Sequence, residues 1–158
     1  MGKQSAGILL FRKRNEVPEF LLVHPGGPYW AKKDRGAWSI PKGEFTEGEV
    51  PIEVAKREFQ EETGTAVQGN FIKLTPQKLK SRKMIHAWAV EGDFEPQSLK
   101  SNDFEMEWPP KSGRKQRFPE VDRAGWFPPL EALQKINAGQ IGFIEELVEI
   151  MGWAAPRP

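Results

Sequence analysis

The chain has 158 residues, 38% hydrophobic and 28% charged, which fits one soluble domain with a single core. A formal net charge of +1 gives no global attraction to a polyanion, and the absence of cysteine excludes disulfides, thiolate metal sites and cysteine nucleophiles. With only His24 and His86 a histidine-rich zinc site is disfavoured, so any metal is expected to be an oxygen-held Mg²⁺ or Mn²⁺.

The N-terminal stretch Met1-Gly2-Lys3-Gln4-Ser5 does not lead into a signal peptide, and Ala6 stands where a myristoylation motif needs Ser or Thr. No apolar run approaches the roughly 18 residues of a membrane span. The expectation is a cytoplasmic protein with residues 1–158 as one domain and no membrane partner; nothing in the pattern specifies an oligomeric state. Two apolar runs, Ser5 to Phe11 and Glu19 to Val23, predict strands joined by a polar, proline-containing hairpin link. Pro25 to Arg35, with Gly26, Gly27 and Pro28, reads as a loop. Pro51 to Thr63 is the clearest helix: proline fits its first turn and Gly64 follows as its stop, although Val50 is a poor N-cap. Phe71 to Leu79 and Met84 to Val90 predict strands, and His86 within the second is expected to be a strand residue with a satisfied partner. Glu91 to Pro119 reads as a long polar excursion and Arg123 to Phe127 as a last strand. Leu130 to Ile136 and Ile141 to Met151 show helical spacing around Gly139. Mixed strands and helices predict an α/β fold with the sheet covered on both faces.

The segment from Gly43 to Gly64 carries the chemistry. At about 100° per residue, Glu58, Glu61 and Glu62 fall on one face of the helix, while Ile52, Ala55 and Phe59 occupy a neighbouring arc that anchors it. Like charges at i and i+4 repel, and acids in the last turn oppose the helix dipole. A divalent cation would relieve both costs, so the placement points to a metal site.

The spacing Gly43, Glu49, Arg57-Glu58, Glu61-Glu62, Gly64 resembles the Nudix box at all seven of its invariant positions. A chance match at any one start is on the order of 10⁻⁸ for residues of ordinary abundance. Phe59 and Thr65 depart from the commoner aliphatic residues of the box, and both positions concern packing. The resemblance implies a Nudix-type α/β/α sandwich, a mixed β-sheet between helices. It also implies a pyrophosphohydrolase in which Glu58, Glu61 and Glu62 hold Mg²⁺, with Mn²⁺ the other choice. Glu58 or another acid would assist deprotonation of water. Arg57 would hold the glutamates with Glu49 as partner, and Gly43 and Gly64 would permit the tight loop–helix–loop backbone. Glu120, in a stretch similar to the family's loop before its last strand, is the expected fourth ligand or base; Asp103, Glu105 and Glu107 are its rivals.

Trp38 to Glu44 is similar to the corresponding segment of family members acting on dinucleoside polyphosphates and nucleoside triphosphates. A nucleotide-type small molecule is therefore the expected substrate, with Lys42 reaching a phosphate and Tyr29, Trp30 or Trp38 stacking on a base; packing under the loop is the other reading, and for Trp38 the favoured one. An RNA 5′ end is the alternative, carried by the Glu120 spacing and two basic clusters, Lys78 to Lys83 and Lys111 to Arg117. A nucleotide-sensing module without turnover is a second alternative, set against the intact carboxylates.

Overall fold

The apolar run at the N-terminus is the middle of a long strand, β1 (Gln4–Arg14), in the computed structural model, which describes residues 3–156. The reading of Met1-Gly2 lies outside the described residues. β1 is buried on both faces: Ala6, Ile8 and Leu10 point one way, Leu9 and Phe11 the other. It turns through Asn15 and Glu16, both at positive φ, directly into β2 (Val17–Pro25). The link is thus two residues, shorter than the sequence implied, because Pro18 lies within β2.

β2 pairs with the second half of β1, from Phe11↔Phe20 to Arg14↔Val17. β3 (Lys42–Phe45) pairs with the first half, from Gln4↔Phe45 to Gly7↔Lys42. Between them the chain bridges both strands: Ile8 N–H donates to Pro41 O at 3.1 Å, and Val23 and Ser39 exchange backbone hydrogen bonds. The sequence gives no strand signal at Lys42 to Phe45, since the pairing with β1 alone makes it one.

α1 (Pro51–Thr63) matches its expected bounds and ends on Gly64 at φ 83. The strand expected over Phe71 to Leu79 is two short pieces, β4 (Ile72–Lys73) and β5 (Gln77–Lys78), both on β6 (Met84–Glu91). His86 on β6 has its partner, Gln4 Oε1 at 2.6 Å from Nε2. β6 runs parallel to β1, the other pairings are antiparallel, and the main sheet is therefore mixed. The polar excursion contains a separate hairpin, β7 (Asp103–Glu107) with β8 (Lys115–Pro119). Its last residues lead into β9 (Val121–Phe127), which lies on β2 and begins two residues earlier than expected.

α2 (Pro129–Lys135) and α3 (Ile141–Met151) flank a short 3₁₀ turn at Ala138–Gln140. They cover the face of Leu9, Phe11, Leu22 and Ile85 with Ala132, Ile136, Phe143, Ile144 and Leu147. α1 covers the opposite face with Val54, Ala55 and Phe59 against Ile8, Leu21 and Val90. The expected α/β/α layering holds. Among the described residues no helix is long and apolar enough to cross a membrane.

Candidate active site

Ala55, Phe59 and Glu62 stand at i, i+4 and i+7, so the stripe that anchors α1 carries Glu62 inward with it. Glu62 is only 6% exposed, and it lines one cavity with Lys42. Glu58, one turn earlier, lies against Gly43. A Cβ on Gly43 would fall 2.0 Å from Glu58 Oε1, so only glycine leaves room for the carboxylate at that point.

Glu120 arrives from the other side of the molecule. Gly26 N–H donates to Glu120 O at 2.9 Å, and Glu120 N–H donates to Asn102 O at 2.8 Å. Asn102 N–H in turn donates to Glu61 O at 2.9 Å, so the base of the β7–β8 hairpin is tied to the end of α1. A bulge between His24 and Pro25 shifts the β2–β9 register just where β9 begins. As a result one carboxylate oxygen each of Glu58, Glu62 and Glu120 lie within 4.8 Å of one another. A cavity of about 130 Å³ opens beside them, walled by Pro25, Ile40, Lys42, Glu62 and Glu120.

The electrostatics follow from that crowding. Burial, then the charge of Glu58, pushes the Glu62 carboxyl up to about 9. Burial, then the charge of Glu61 and a hydrogen bond with it, raises Glu58 to about 7. Burial and Glu61 also raise Glu120. Lys42 is held below the usual lysine value by its own burial and by Lys83, while Glu62, Glu44 and Glu58 act against that. Three oxygen donors converging in a desolvated pocket fit a hard divalent cation, whose charge would bring their acidities back toward ordinary values.

Glu61 stands at the rim. Its side chain is more exposed than that of Glu58, and Arg57 faces it at 3.9 Å. Arg57 also reaches Glu49 at 3.2 Å and Glu58 at 3.8 Å, so one guanidinium spans three carboxylates. Glu49 in turn accepts the N–H and hydroxyl of Thr46 at 2.9 and 3.1 Å. Of the rivals to Glu120, Asp103 and Glu105 face Arg117 and Lys115 across the hairpin, and Glu107 accepts Lys111 N–H. None joins the cluster.

Trp38 does not offer a stacking face. It is 5% exposed, packed edge-on against His24 and Phe127, with its indole N–H donated to Asp34 at 2.8 Å. Its size and hydrophobicity place it under the loop rather than in the cleft. Tyr29, by contrast, is 58% exposed and lies edge-to-face with Trp108.

Three positioning residues escaped the sequence reading. Buried His24 bridges Asp122 (2.8 Å from Nδ1) and the Lys33 carbonyl (2.6 Å from Nε2), fastening the loop beside Glu120. Asp34 receives Trp38 and Lys135. Gln140 accepts Ile40 N–H at 3.0 Å and donates to Ser39 Oγ at 3.0 Å, holding the segment that delivers Lys42. These partners lie between 4 and 101 residues away, and only the Trp38–Asp34 spacing is local.

Known structures share this architecture. An Ap4A hydrolase of C. elegans in a binary complex superposes with a TM-score of 0.66 at 18% identity, covering 94% of this chain and 98% of that one. The NUDIX domain of Shewanella oneidensis NrtR, complexed with ADP ribose, gives 0.59 at 16% identity over 96% and 89%. The E. coli ORF135 protein gives 0.58 at 21% over 95% and 92%. At such identities the likeness shows the fold, and the sequence model of the NUDIX domain supplies the rest by matching residues 1–147. The chain belongs to the NUDIX domain family, as a hydrolase acting on pyrophosphate bonds.

Proposed function

We propose that the protein is a Mg²⁺-dependent pyrophosphohydrolase of nucleotides, with dinucleoside polyphosphates or nucleoside triphosphates as its substrate class. The observation that carries the reading is the convergence of Glu58, Glu62 and Glu120 beside Lys42. The substrate class rests on the Trp38 to Glu44 segment, and the Ap4A hydrolase among the fold relatives agrees with it.

Glu58, Glu62 and Glu120 would hold the cation, with Glu61 backing Glu58 from the rim. Bound there, Mg²⁺ would supply charge neutralisation for the diphosphate and would make the attacking water more acidic. Water adds to phosphorus in line with the bridging P–O bond, which breaks, leaving two phosphate products. Glu58 accepts the proton of the attacking water at a carboxylate oxygen. Lys42, at the cavity wall, meets the negative charge that grows on the departing phosphate. Arg57 keeps Glu58 and Glu61 in place while linking them to Glu49.

The test is product analysis on diadenosine polyphosphates, nucleoside triphosphates, nucleotide sugars and 5′-triphosphate RNA, with Mg²⁺, Mn²⁺ or EDTA. Turnover of one of the first two classes, abolished by EDTA and by Glu58→Gln, is the expected result. Turnover that survives EDTA or Glu58→Gln would overturn the mechanism. Nucleotide binding without product would favour a sensing module.

A further inference from the structure

We infer that Tyr29 and Trp108 form the corner in which the substrate's base stacks, so that the loop after β2 and the β7–β8 hairpin together recognise the nucleoside. The inference deepens the nucleotide-hydrolase reading above and rests on it.

The loop from Pro25 to Ala37 is fastened at every turn. Trp30 N–H donates to Gly27 O at 3.4 Å, Lys33 N–H to Trp30 O at 2.9 Å, and Ala37 N–H to Asp34 O at 2.9 Å. His24 holds the Lys33 carbonyl, and Trp38 and Lys135 hold Asp34. A loop so constrained nevertheless turns two large aromatic rings outward, Tyr29 at 58% and Trp30 at 38% exposure. Two neighbouring aromatic rings turned outward on a fastened loop offer a preformed apolar surface to a ligand. Lys33 already lies over the Trp30 ring at 5.1 Å, which leaves Tyr29 as the open ring.

The hairpin supplies the second wall. Strand alternation puts Phe104, Met106 and Trp108 on one face, and that face meets the loop. Phe104 rests on Gly27, where a Cβ would come within 2.9 Å of its ring and φ is +96. Trp108 stands 5.2 Å from Tyr29, centroid to centroid, at 77°. Two rings at that angle make a corner: a flat base can lie on one and abut the other.

Both walls are joined through the backbone to the acid cluster, with Trp108 at the turn end of the hairpin and Glu120 at its base. Tyr29 follows three residues after Gly26, which is bonded to Glu120, and the hairpin ends directly in Glu120. The base and the scissile phosphates are thus received by one connected frame. Stacking reads ring area, so purine nucleotides should be preferred over pyrimidine nucleotides, with adenine and guanine nearly equal.

Because Trp108 also packs the hairpin, Tyr29 carries the decisive test. KM and kcat are measured for native protein, Tyr29→Ala and Tyr29→Phe on diadenosine tetraphosphate, ATP, CTP and a base-free ribosyl diphosphate. Tyr29→Ala should raise KM for the purine substrates about 5- to 150-fold, the range that stacking on one side chain is worth. Its kcat should change little, Tyr29→Phe should restore KM, and the base-free compound should be unaffected. An unchanged KM in Tyr29→Ala, with native turnover intact, would overturn the corner and leave the hydrolase reading standing. If native protein turns over no nucleotide, the hydrolase reading fails, and calorimetric titration with ADP decides the corner. ADP binding lost in Tyr29→Ala and kept in Tyr29→Phe would support it; equal binding, or none, would overturn it.

Discussion

Replacing Glu62 by Gln should stabilise the metal-free protein at neutral pH, and the gain should vanish in acid. Glu62 is 6% exposed, and burial with the charge of Glu58 raises its carboxyl from 4.5 to about 9. Below about pH 4.5 folded and unfolded chains both hold the proton, and the group costs nothing. Between 4.5 and 9 the unfolded chain releases it while the folded chain keeps it, so native stability falls as pH rises through that window. Each pH unit is worth about 1.4 kcal/mol, which makes the loss about 3 kcal/mol at pH 7 and under about 1 kcal/mol at pH 5. Glutamine has the same shape and no proton to lose. Urea or thermal denaturation in EDTA from pH 5 to pH 8 reads the difference directly. At pH 7 the variant should melt higher by about 6–12 °C for a chain of this size. Parallel stability curves for the two proteins across this pH range would refute the argument that Glu62 is a desolvated, repelled carboxyl.

The same reasoning makes Mg²⁺ a stabiliser: at pH 8 it should raise the Tm of native protein and raise that of Glu62→Gln much less, measured by calorimetry with and without EDTA. Gly43→Ala drives a methyl to 2.0 Å from Glu58 Oε1 and should lower kcat at least about 10-fold; full activity would show that Glu58 need not sit there. Arg57→Lys replaces a planar fork spanning Glu49, Glu58 and Glu61 with a point charge, so kcat should drop about 10-fold while the Tm hardly moves. His24→Leu removes the ring that bridges the Asp122 carboxylate and the Lys33 carbonyl and should cost about 2–3 kcal/mol by urea denaturation, with faster hydrogen exchange in the Pro25 to Ala37 loop.

Much of the site could be read from the order of residues because its elements are local. Pro51 and Gly64 mark the ends of α1 through backbone geometry alone, and helical periodicity puts Glu58, Glu61 and Glu62 on one face whatever surrounds them. What the helix could not say is how it sits. Its apolar stripe against Ile8, Leu21 and Val90 turns Glu62 inward and leaves Glu61 at the rim, a choice made by packing on the sheet. Glu120 lies 58 residues beyond Glu62 in sequence and reaches it only through the pairing of β9 with β2 and the bulge at His24 and Pro25. β3 is a strand only because the first half of β1 has an open edge for Lys42 to Phe45. The hairpin at Asp103 to Pro119 hides its alternating Phe104, Met106 and Trp108 among charges and prolines, so only the contact with Gly27 and Tyr29 reveals its apolar face. The sequence by itself determined the family signature and the helix that carries its glutamates, because residue spacing and helical periodicity do not depend on the surroundings. Tertiary structure alone decided which carboxylates converge and what stands beside them, because burial and long-range strand pairing depend on the whole chain at once.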